Sequence, residues 1–525
     1  MSHFKLTATF MKQIVWLTYF LYCLCQPAYG QTPQFVTDSL DIYIKRGMTD
    51  WQIPGMAVGI VENGKIILAK GYGVLEAGTQ QFVNENTVFP IASNSKLFTG
   101  TGFALLDTQK KLSLDEKVIK YLPNFKLNDP IATQLVTIRD LLSHRLGFKN
   151  YQGDFLFWDS SLTRQDVVTR MQLHVPPYQF RQDFGYSNQG YVVASELIPK
   201  VTNQTWEQFI QNQLLNPLGM TRTFILYDDM RKQSNVALPY TTCCNAQGNL
   251  TRIPYDNLDN LGPATGMSST VRDMTLWLKM QLDSGRVGNR QIIPWAALEK
   301  SREANTIASS SRMTLFPLGF QFYCLGVGLL DYAGVSVFAH AGACSGFRSS
   351  TTLVPSKKLG IVILTNQDHH SFQEALRFQL LDAYLGVPYT NRHQYYFNRA
   401  KAKDQKSQEE IKALASRVEK NAKPALPLSA YTGTYQNNLY GTLTITAEPV
   451  KQTKQRLTIR FQHHPNLTGQ LDYMDGNQFR LTFSNPRFGI FPVTFVQDSA
   501  QVKSIELSAS EFVDNDSYIF SKERL

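Results

Sequence analysis

Strand-like apolar runs lie at both ends of the region 35–385 and enclose a long helical middle. The runs at 55–61 and 65–69 flank Asn63-Gly64, a dipeptide typical of a two-residue β-hairpin. Four further strands are predicted at 319–328, 335–340, 349–354 and 359–365, and a helix is predicted after them over 372–385. This order favours a fold of the α/β (α+β) class, in which one antiparallel sheet packs against a helical subdomain.

A charge-rich segment separates this unit from a different C-terminal pattern. Residues 395–424 keep an apolar stripe at helical spacing and end at Pro424. From Tyr431 onward short strands recur between turns, at 441–445, 457–461, 478–483 and 492–496. We therefore predict a domain over 31–390, a charged helical linker over 391–425, and a small all-β barrel over 426–525 that folds separately.

The N-terminus has the features of an export signal. Lys5 and Lys12 precede an apolar run over 14–25, and the small residues Ala28 and Gly30 suit cleavage before Gln31. Residues 1–30 are therefore predicted to be a signal peptide, and the protein is expected to be exported, either periplasmic or secreted. The alternative is an uncut leader that serves as a membrane anchor.

The composition argues against several other classes of protein. A hydrophobic content of 43% is that of an ordinary globular chain, and its net charge of +10 is not accompanied by aromatic-basic interleaving typical of nucleic-acid binding. No Cys/His spacing indicates zinc, and neither a metal nor a cofactor is predicted. Export permits disulfides, but the sequence leaves open any pairing among Cys243, Cys244, Cys324 and Cys344.

Ser93 and Lys96 lie at the predicted start of an apolar helix. Residues three apart share a helix face, so the hydroxyl and the ammonium would lie side by side in the first turn. Unpaired amide donors and the positive end of the helix dipole favour a serine nucleophile there. The spacing alone is common, so the motif needs support from the rest of the chain.

Two later motifs supply that support. Tyr186-Ser187-Asn188 lies in a polar loop before a helix, where a phenol and an amide can project into a cleft. His340-Ala341-Gly342 ends a strand, and its small residues would let a substrate backbone approach closely. His144 follows a helix that Thr137 is expected to cap, and we interpret it as a structural histidine.

The order Ser-x-x-Lys, Tyr-x-Asn and cation-x-Gly resembles that of the penicillin-recognising serine hydrolases. Over residues 35 to 385 the chain is similar to the class C β-lactamase, D,D-carboxypeptidase and D-aminopeptidase family. Four further segments extend the resemblance: 52–57, 137–144, 266–270 and 346–347. The part from Tyr431 resembles the lipocalin-like domain of some relatives.

The resemblance implies roles for each motif residue. Ser93 would be the acylated nucleophile, Lys96 and Tyr186 would share the general-base work, and Asn188 would contact the amide side chain of the substrate. The backbone N–H groups of Ser93 and Ala343 would form the oxyanion hole. Lys96 is expected to have a lowered pKa, and we expect the same of Tyr186 between Lys96 and His340.

The third motif departs from the family pattern. His340 takes the place of the usual lysine, and Ala341 replaces a threonine whose hydroxyl helps to bind the substrate carboxylate. This puts β-lactam hydrolysis in doubt and favours peptidase or esterase activity. Arg348 is a second candidate for carboxylate contact.

Two functions from different classes follow. One is an exported serine hydrolase that acts on D-amino-acid peptides or amides, esters or β-lactams, with cell-envelope peptidoglycan fragments as possible partners. The other is a non-catalytic, penicillin-binding-like envelope module. Ser93, Lys96 and Tyr186 together favour the enzyme, because a binding module has no need of all three.

Overall fold

The computed structural model describes residues 32–244, 248–309, 316–449, 455–498, 501–514 and 516–523. The predicted signal peptide lies outside these residues. Among the helices so described, none combines the length and the apolar character needed to cross a membrane.

The first domain is built on an eight-stranded antiparallel sheet, as the sequence predicts. The hairpin turns at Asn63 and Gly64, whose φ angles of 49° and 76° are those of the predicted two-residue turn. The strand Gly55–Glu62 pairs with Leu359–Thr365, which is the last strand of the sheet along the chain, and Ile60 lies opposite Ile361. In spatial order the strands are Lys65–Gly73, Gly55–Glu62, Leu359–Thr365, Phe347–Val354, Val335–Cys344, Gly328–Tyr332, Leu318–Tyr323 and Thr306–Ser309.

Helices cover both faces of this sheet, which explains why the strand Gly55–Glu62 is buried along its whole length. On one face Met56, Val58 and Ile60 join a core that includes the helices Leu40–Asp50 and Phe372–Leu385. On the other face the helix Val271–Leu282 packs so closely that a Cβ at Gly59 would lie 2.8 Å from Val271. Two apolar layers therefore enclose the sheet.

Short helices make up the middle of the chain and form the predicted subdomain. Thr137 caps the helix Ile138–Leu142 through a capping box with Asp140, as predicted. The principal helices from the site onward are Ser95–Thr108, Pro130–Leu135, Ile138–Leu142, Asp154–Phe157, Arg164–Arg170, Asn188–Ser195, Ile198–Thr202, Trp206–Ile210, Asn216–Leu218, Tyr227–Arg231, Val271–Leu282 and Trp295–Ser301.

The C-terminal part is a closed barrel of eight strands, which confirms the predicted all-β unit. The helix Arg392–Glu419 leads into it and falls within the predicted linker. The barrel strands are Gly433–Asn437, Gly441–Pro449, Gln455–Phe461, His464–Asp475, Gln478–Phe483, Ile490–Asp498, Gln501–Ser508 and Ser517–Lys522.

The barrel does not stand apart from the first domain. The ring of Phe155 stacks on Tyr518 of the barrel at 5.2 Å and on His464 at 4.7 Å. Arg487, also from the barrel, pairs with the buried Asp368 at 3.3 Å. The two units therefore share one apolar core, in contrast with a barrel joined only by a linker.

The four cysteines in the described part of the chain are of two kinds. Cys243 and Cys244 form a disulfide between neighbouring residues. Cys324 and Cys344 are free thiols buried in the first domain.

Candidate active site

Ser93 lies in the short 3-10 turn Ala92–Asn94 that leads directly into the helix Ser95–Thr108. It is half-buried, whereas the residues on both sides of it are buried. Ala92 has a φ of +46°, a left-handed conformation that costs a non-glycine residue free energy and is common at functional sites. A bond of 2.7 Å from the Ser95 hydroxyl to the Ala92 carbonyl holds this turn.

Lys96 is fully buried and points back to Ser93. Its Nζ lies 3.3 Å from the Ser93 Oγ, and it donates to Asn188 Oδ1 at 2.6 Å and to the Ala264 carbonyl at 2.9 Å. Burial lowers the pKa of Lys96 well below its usual value, against the charge of Asp154, which raises it. If the amine is neutral, its bonds to Asn188 and Ala264 take its two N–H groups and leave its lone pair on the side of Ser93. The lowered pKa has the predicted direction, and the role of Lys96 as a base stays a prediction.

Tyr186 completes the group around Ser93. Its ring lies 4.7 Å from the Nζ of Lys96. Burial raises the pKa of Tyr186 well above its usual value, and the nearby Ser93 side chain lowers it only in part. The expectation of a lowered pKa was wrong, because desolvation of the phenolate outweighs the nearby amine. Tyr186 is therefore a protonated phenol at neutral pH.

Asn188 begins the helix Asn188–Ser195 and is 2% exposed. Its amide oxygen accepts from Lys96, and its Nδ2 donates to Asp154 Oδ2 at 2.6 Å. Both ends of the side chain are thus engaged within the protein. In this structure the side chain of Asn188 holds Lys96. A contact between Asn188 and the substrate stays a prediction.

His340 lies in the strand Val335–Cys344 beside the site, with both ring nitrogens bonded. The Tyr323 hydroxyl lies 3.0 Å from Nε2, and Nδ1 lies 2.7 Å from the Ala341 carbonyl. A neutral ring with its proton on Nδ1 satisfies both contacts. Burial, with the charge of Lys96, lowers the pKa of His340 to about 3. Position 340 therefore carries no fixed positive charge at neutral pH.

The same strand passes directly against the turn of Ser93. A Cβ at Gly342 would lie 2.3 Å from the Ile91 carbonyl and 3.1 Å from the Ser93 nitrogen, so only glycine fits there. Ala341 is exposed and Ala343 is half-buried. The strand thus brings position 343 near Ser93, as an oxyanion hole requires, although the pairing of the two N–H groups stays a prediction.

A backbone carbonyl holds Arg348, and buried carboxylates hold the turn that follows this strand. Arg348 donates through Nε to the Asp368 carbonyl at 2.7 Å. Two hydrogen bonds fix the turn that follows the strand: the Ser345 N–H donates to Asp256 Oδ2, and the Gly346 N–H donates to Asp368 Oδ2, each at 2.8 Å. These contacts fix the turn at the end of the strand that carries His340 and Gly342.

The structure places Tyr323 and Asp154, which the sequence did not indicate, at the site, and it places His144 beside them. His144, interpreted as structural, has its ring 4.4 Å from that of Tyr186, and its buried Nε2 has no hydrogen-bond partner among the described residues. Tyr323 bonds to His340, and Asp154 bonds to Asn188. No spacing pattern links Tyr323 or Asp154 to the motifs, so only their positions in space identify these two residues.

Both parts of the chain match known family models. A model of the beta-lactamase family matches residues 40–384, and a model of a domain of unknown function (DUF3471) matches residues 417–522. The chain is 25% identical over 456 residues to the Unguisins hydrolase ungD of Aspergillus violaceofuscus, covering 82% of this chain and 80% of that protein.

Two further similarities support the same grouping. Protein flp of Staphylococcus aureus (strain MRSA252) is 29% identical over 336 residues, which cover 62% of this chain and 62% of that protein. The structure of the octameric penicillin-binding protein homologue from Pyrococcus abyssi has the same fold, with a TM-score of 0.57 and 20% identity over 92% of this chain and 100% of that one. The resemblance inferred from the motifs is confirmed, and the chain belongs to the beta-lactamase family.

Proposed function

We propose that this protein is a serine hydrolase that forms an acyl intermediate on Ser93 and acts on D-amino-acid peptides or amides and on esters in preference to β-lactams. The observation that carries the proposal is the amine of Lys96, whose two N–H groups are bonded to Asn188 and Ala264 while its remaining face meets Ser93. The fungal relative is named as a hydrolase, which agrees with this class of reaction.

In the proposed acylation the neutral Lys96 takes the proton of Ser93 while the Oγ attacks the carbonyl carbon of the substrate. The negative oxygen of the intermediate would accept from the N–H groups of Ser93 and Ala343. The bond to the leaving nitrogen or oxygen then breaks, and Tyr186 gives its proton to that atom and regains one from Lys96. Water then attacks the acyl carbon, and its proton passes through Tyr186 and Lys96 to the Oγ of Ser93. The bond between Ser93 and the acyl group breaks, which restores the serine.

The first prediction concerns the nucleophile. A fluorophosphonate probe should form one covalent adduct, on Ser93, because this is the hydroxyl that Lys96 and Tyr186 both face. Peptide mass spectrometry with fragmentation separates Ser93 from Ser95, whose hydroxyl is bonded to the Ala92 carbonyl. Labelling of Ser95, or unchanged labelling of Ser93→Ala, would refute the mechanism. The absence of any adduct would instead favour a non-catalytic binding module.

The second prediction concerns the substrate. His340 is neutral and Ala341 has no hydroxyl, so a substrate carboxylate loses a charge and a hydrogen bond on this strand. A hydrogen bond to a charged group contributes about 1.5–3 kcal/mol, which corresponds to roughly ten- to a hundred-fold in rate. We expect nitrocefin to have a much lower kcat/KM than an acetyl nitrophenyl ester or a D-alanyl amide on one preparation.

The cause of that preference is tested by Ala341→Thr, which should improve nitrocefin hydrolysis because position 341 is exposed and has room for a hydroxyl. Ala402→Thr, on the exposed side of the helix Arg392–Glu419, is the matched control and should change nothing. If nitrocefin were the best substrate of the unmodified protein, the proposed preference would be wrong.

A further inference from the structure

Asp154 is a buried carboxyl that is linked to the proposed base, Lys96, through two hydrogen bonds of Asn188. It begins the helix Asp154–Phe157 and is 1% exposed. Its Oδ2 accepts from the Nδ2 of Asn188 at 2.6 Å, and the Oδ1 of Asn188 accepts from Lys96 at 2.6 Å. The other carboxyl oxygen, Oδ1, has no hydrogen-bond partner in the described part of the chain. The three side chains form one line of contacts that ends at Ser93.

The direction of the Asn188 amide decides whether Lys96 is held. An amide offers an oxygen that accepts and an NH₂ group that only donates. If the amide turned over, its NH₂ would face the amine of Lys96, and two donors would meet. An acceptor on the far side prevents this, because it binds the NH₂ group and leaves the oxygen toward Lys96. Asp154 Oδ2 is that acceptor.

We propose that Asp154 is a positioning residue for the acylation chemistry: by accepting from Asn188 it fixes the amide so that its oxygen holds one N–H of Lys96. The inference rests on the proposed function, since it concerns the same base. Asp154 does not touch the substrate or Ser93 and acts only through Asn188.

The C-terminal barrel contacts the residues on both sides of Asp154. The N–H of Gly153 donates to Asp514 Oδ2 of the barrel at 2.9 Å, and the ring of Phe155 stacks on Tyr518 of the barrel. Gly153 has a φ of +79°, and a Cβ there would lie 2.0 Å from the ring of His174, so the backbone is tightly defined. Contacts on both sides of Asp154 thus hold it against Asn188.

The role of Asp154 does not require a charge. Burial and the nearby Asp514 raise the pKa of Asp154 well above its usual value, whereas Asn188 and Lys96 lower it. The other ionisable groups that face it are Tyr151 and Tyr186. A carboxyl protonated on Oδ1 still accepts through Oδ2. An asparagine at this position can therefore replace it, since its side chain carries an acceptor of the same shape.

The experiment compares second-order rates of fluorophosphonate labelling at Ser93 in the full-length protein. Asp154→Leu removes the acceptor and should slow labelling roughly 10- to 100-fold, because the NH₂ of Asn188 loses its partner. Asp154→Asn keeps the acceptor and should label within about fivefold of the unmodified protein. Thermal melts establish that each variant is folded. Should the leucine variant fail to fold, Asp154→Ala makes the same test.

A second measurement separates positioning from a general effect on the fold. In an Asn188→Leu background, the change Asp154→Leu should cost less than about threefold, because residues that act through one another are not additive. Equal losses in both backgrounds, or an Asp154→Asn variant as slow as Asp154→Leu, would overturn the inference. If the unmodified protein is not labelled on Ser93 at all, it is the proposed function that fails.

Discussion

Replacing Lys96 by alanine is expected to slow acylation of Ser93 by about 10²–10⁴-fold, the usual contribution of a general base. The amine of Lys96, the proposed base, is buried and lies 3.3 Å from the Ser93 hydroxyl. Tyr186→Phe should have a similar cost, since it removes the phenol that would pass the proton beside Ser93 and Lys96. The measurement is the rate of fluorophosphonate labelling, with ester turnover as a second readout.

The double variant should be little slower than either single one, because Lys96 and Tyr186 would serve one proton path. Tyr191→Phe is the matched control: its ring also lies near Lys96, at 5.3 Å, but its hydroxyl donates to the Leu142 carbonyl. It should retain most of the activity. Additive losses for Lys96 and Tyr186 would mean that the two act independently.

The pH dependence follows from the same two groups. The pKa of Lys96 is lowered, so the amine is free to accept a proton at pH values well below 10.5. Activity should fall as the pH drops through the pKa of Lys96, because the protonated amine has no lone pair. The pKa of Tyr186 is raised, so no loss from ionisation of its phenol is expected near neutral pH.

Removal of the C-terminal barrel is the second change with a large expected effect. The sequence predicts that a chain ending near Lys423 stays folded and is still acylated. The structure leads us to expect the opposite, because Phe155 and Trp158 are 2% and 4% exposed and both contact aromatic rings of the barrel. Burying one such side chain contributes about 1.5–3 kcal/mol, against a total stability of about 5–15 kcal/mol for a domain.

The loss should reach the site as well as the core. Without the barrel, Gly153 loses its bond to Asp514, and Asp368, which fixes the turn at Gly346, loses Arg487. We therefore expect the shortened chain to aggregate, or to melt far below the full-length protein and to be acylated slowly.

Two full-length variants serve as controls for this experiment. Phe155→Ala keeps the barrel but removes the ring that packs against it, and should lower the free energy of unfolding by about 3–5 kcal/mol. Phe82→Ala, at a side chain that is 68% exposed, should have little effect. A shortened chain that melts cooperatively and is acylated at the full-length rate would restore the prediction of a separate barrel.

Local patterns alone determined much of the architecture. Asn63-Gly64 predicted its hairpin because the turn needs two positive φ angles, and Thr137 predicted its helix start because its hydroxyl can satisfy a free N–H. The helix Phe372–Leu385 has the predicted bounds. These signals depend on residues a few positions apart, and the order of the three motifs was sufficient to predict the family.

Only the tertiary structure decided the features that depend on burial and on distant contacts. The sequence shows that Tyr186 has cationic candidates as neighbours, but the pKa of Tyr186 is raised because the folded chain excludes water from it. Asp154 has no motif, and it acquires its place beside Asn188 through contacts with a barrel whose Asp514 lies 361 residues from Gly153. No local pattern records which side chains a fold desolvates together, so these features could be found only in three dimensions.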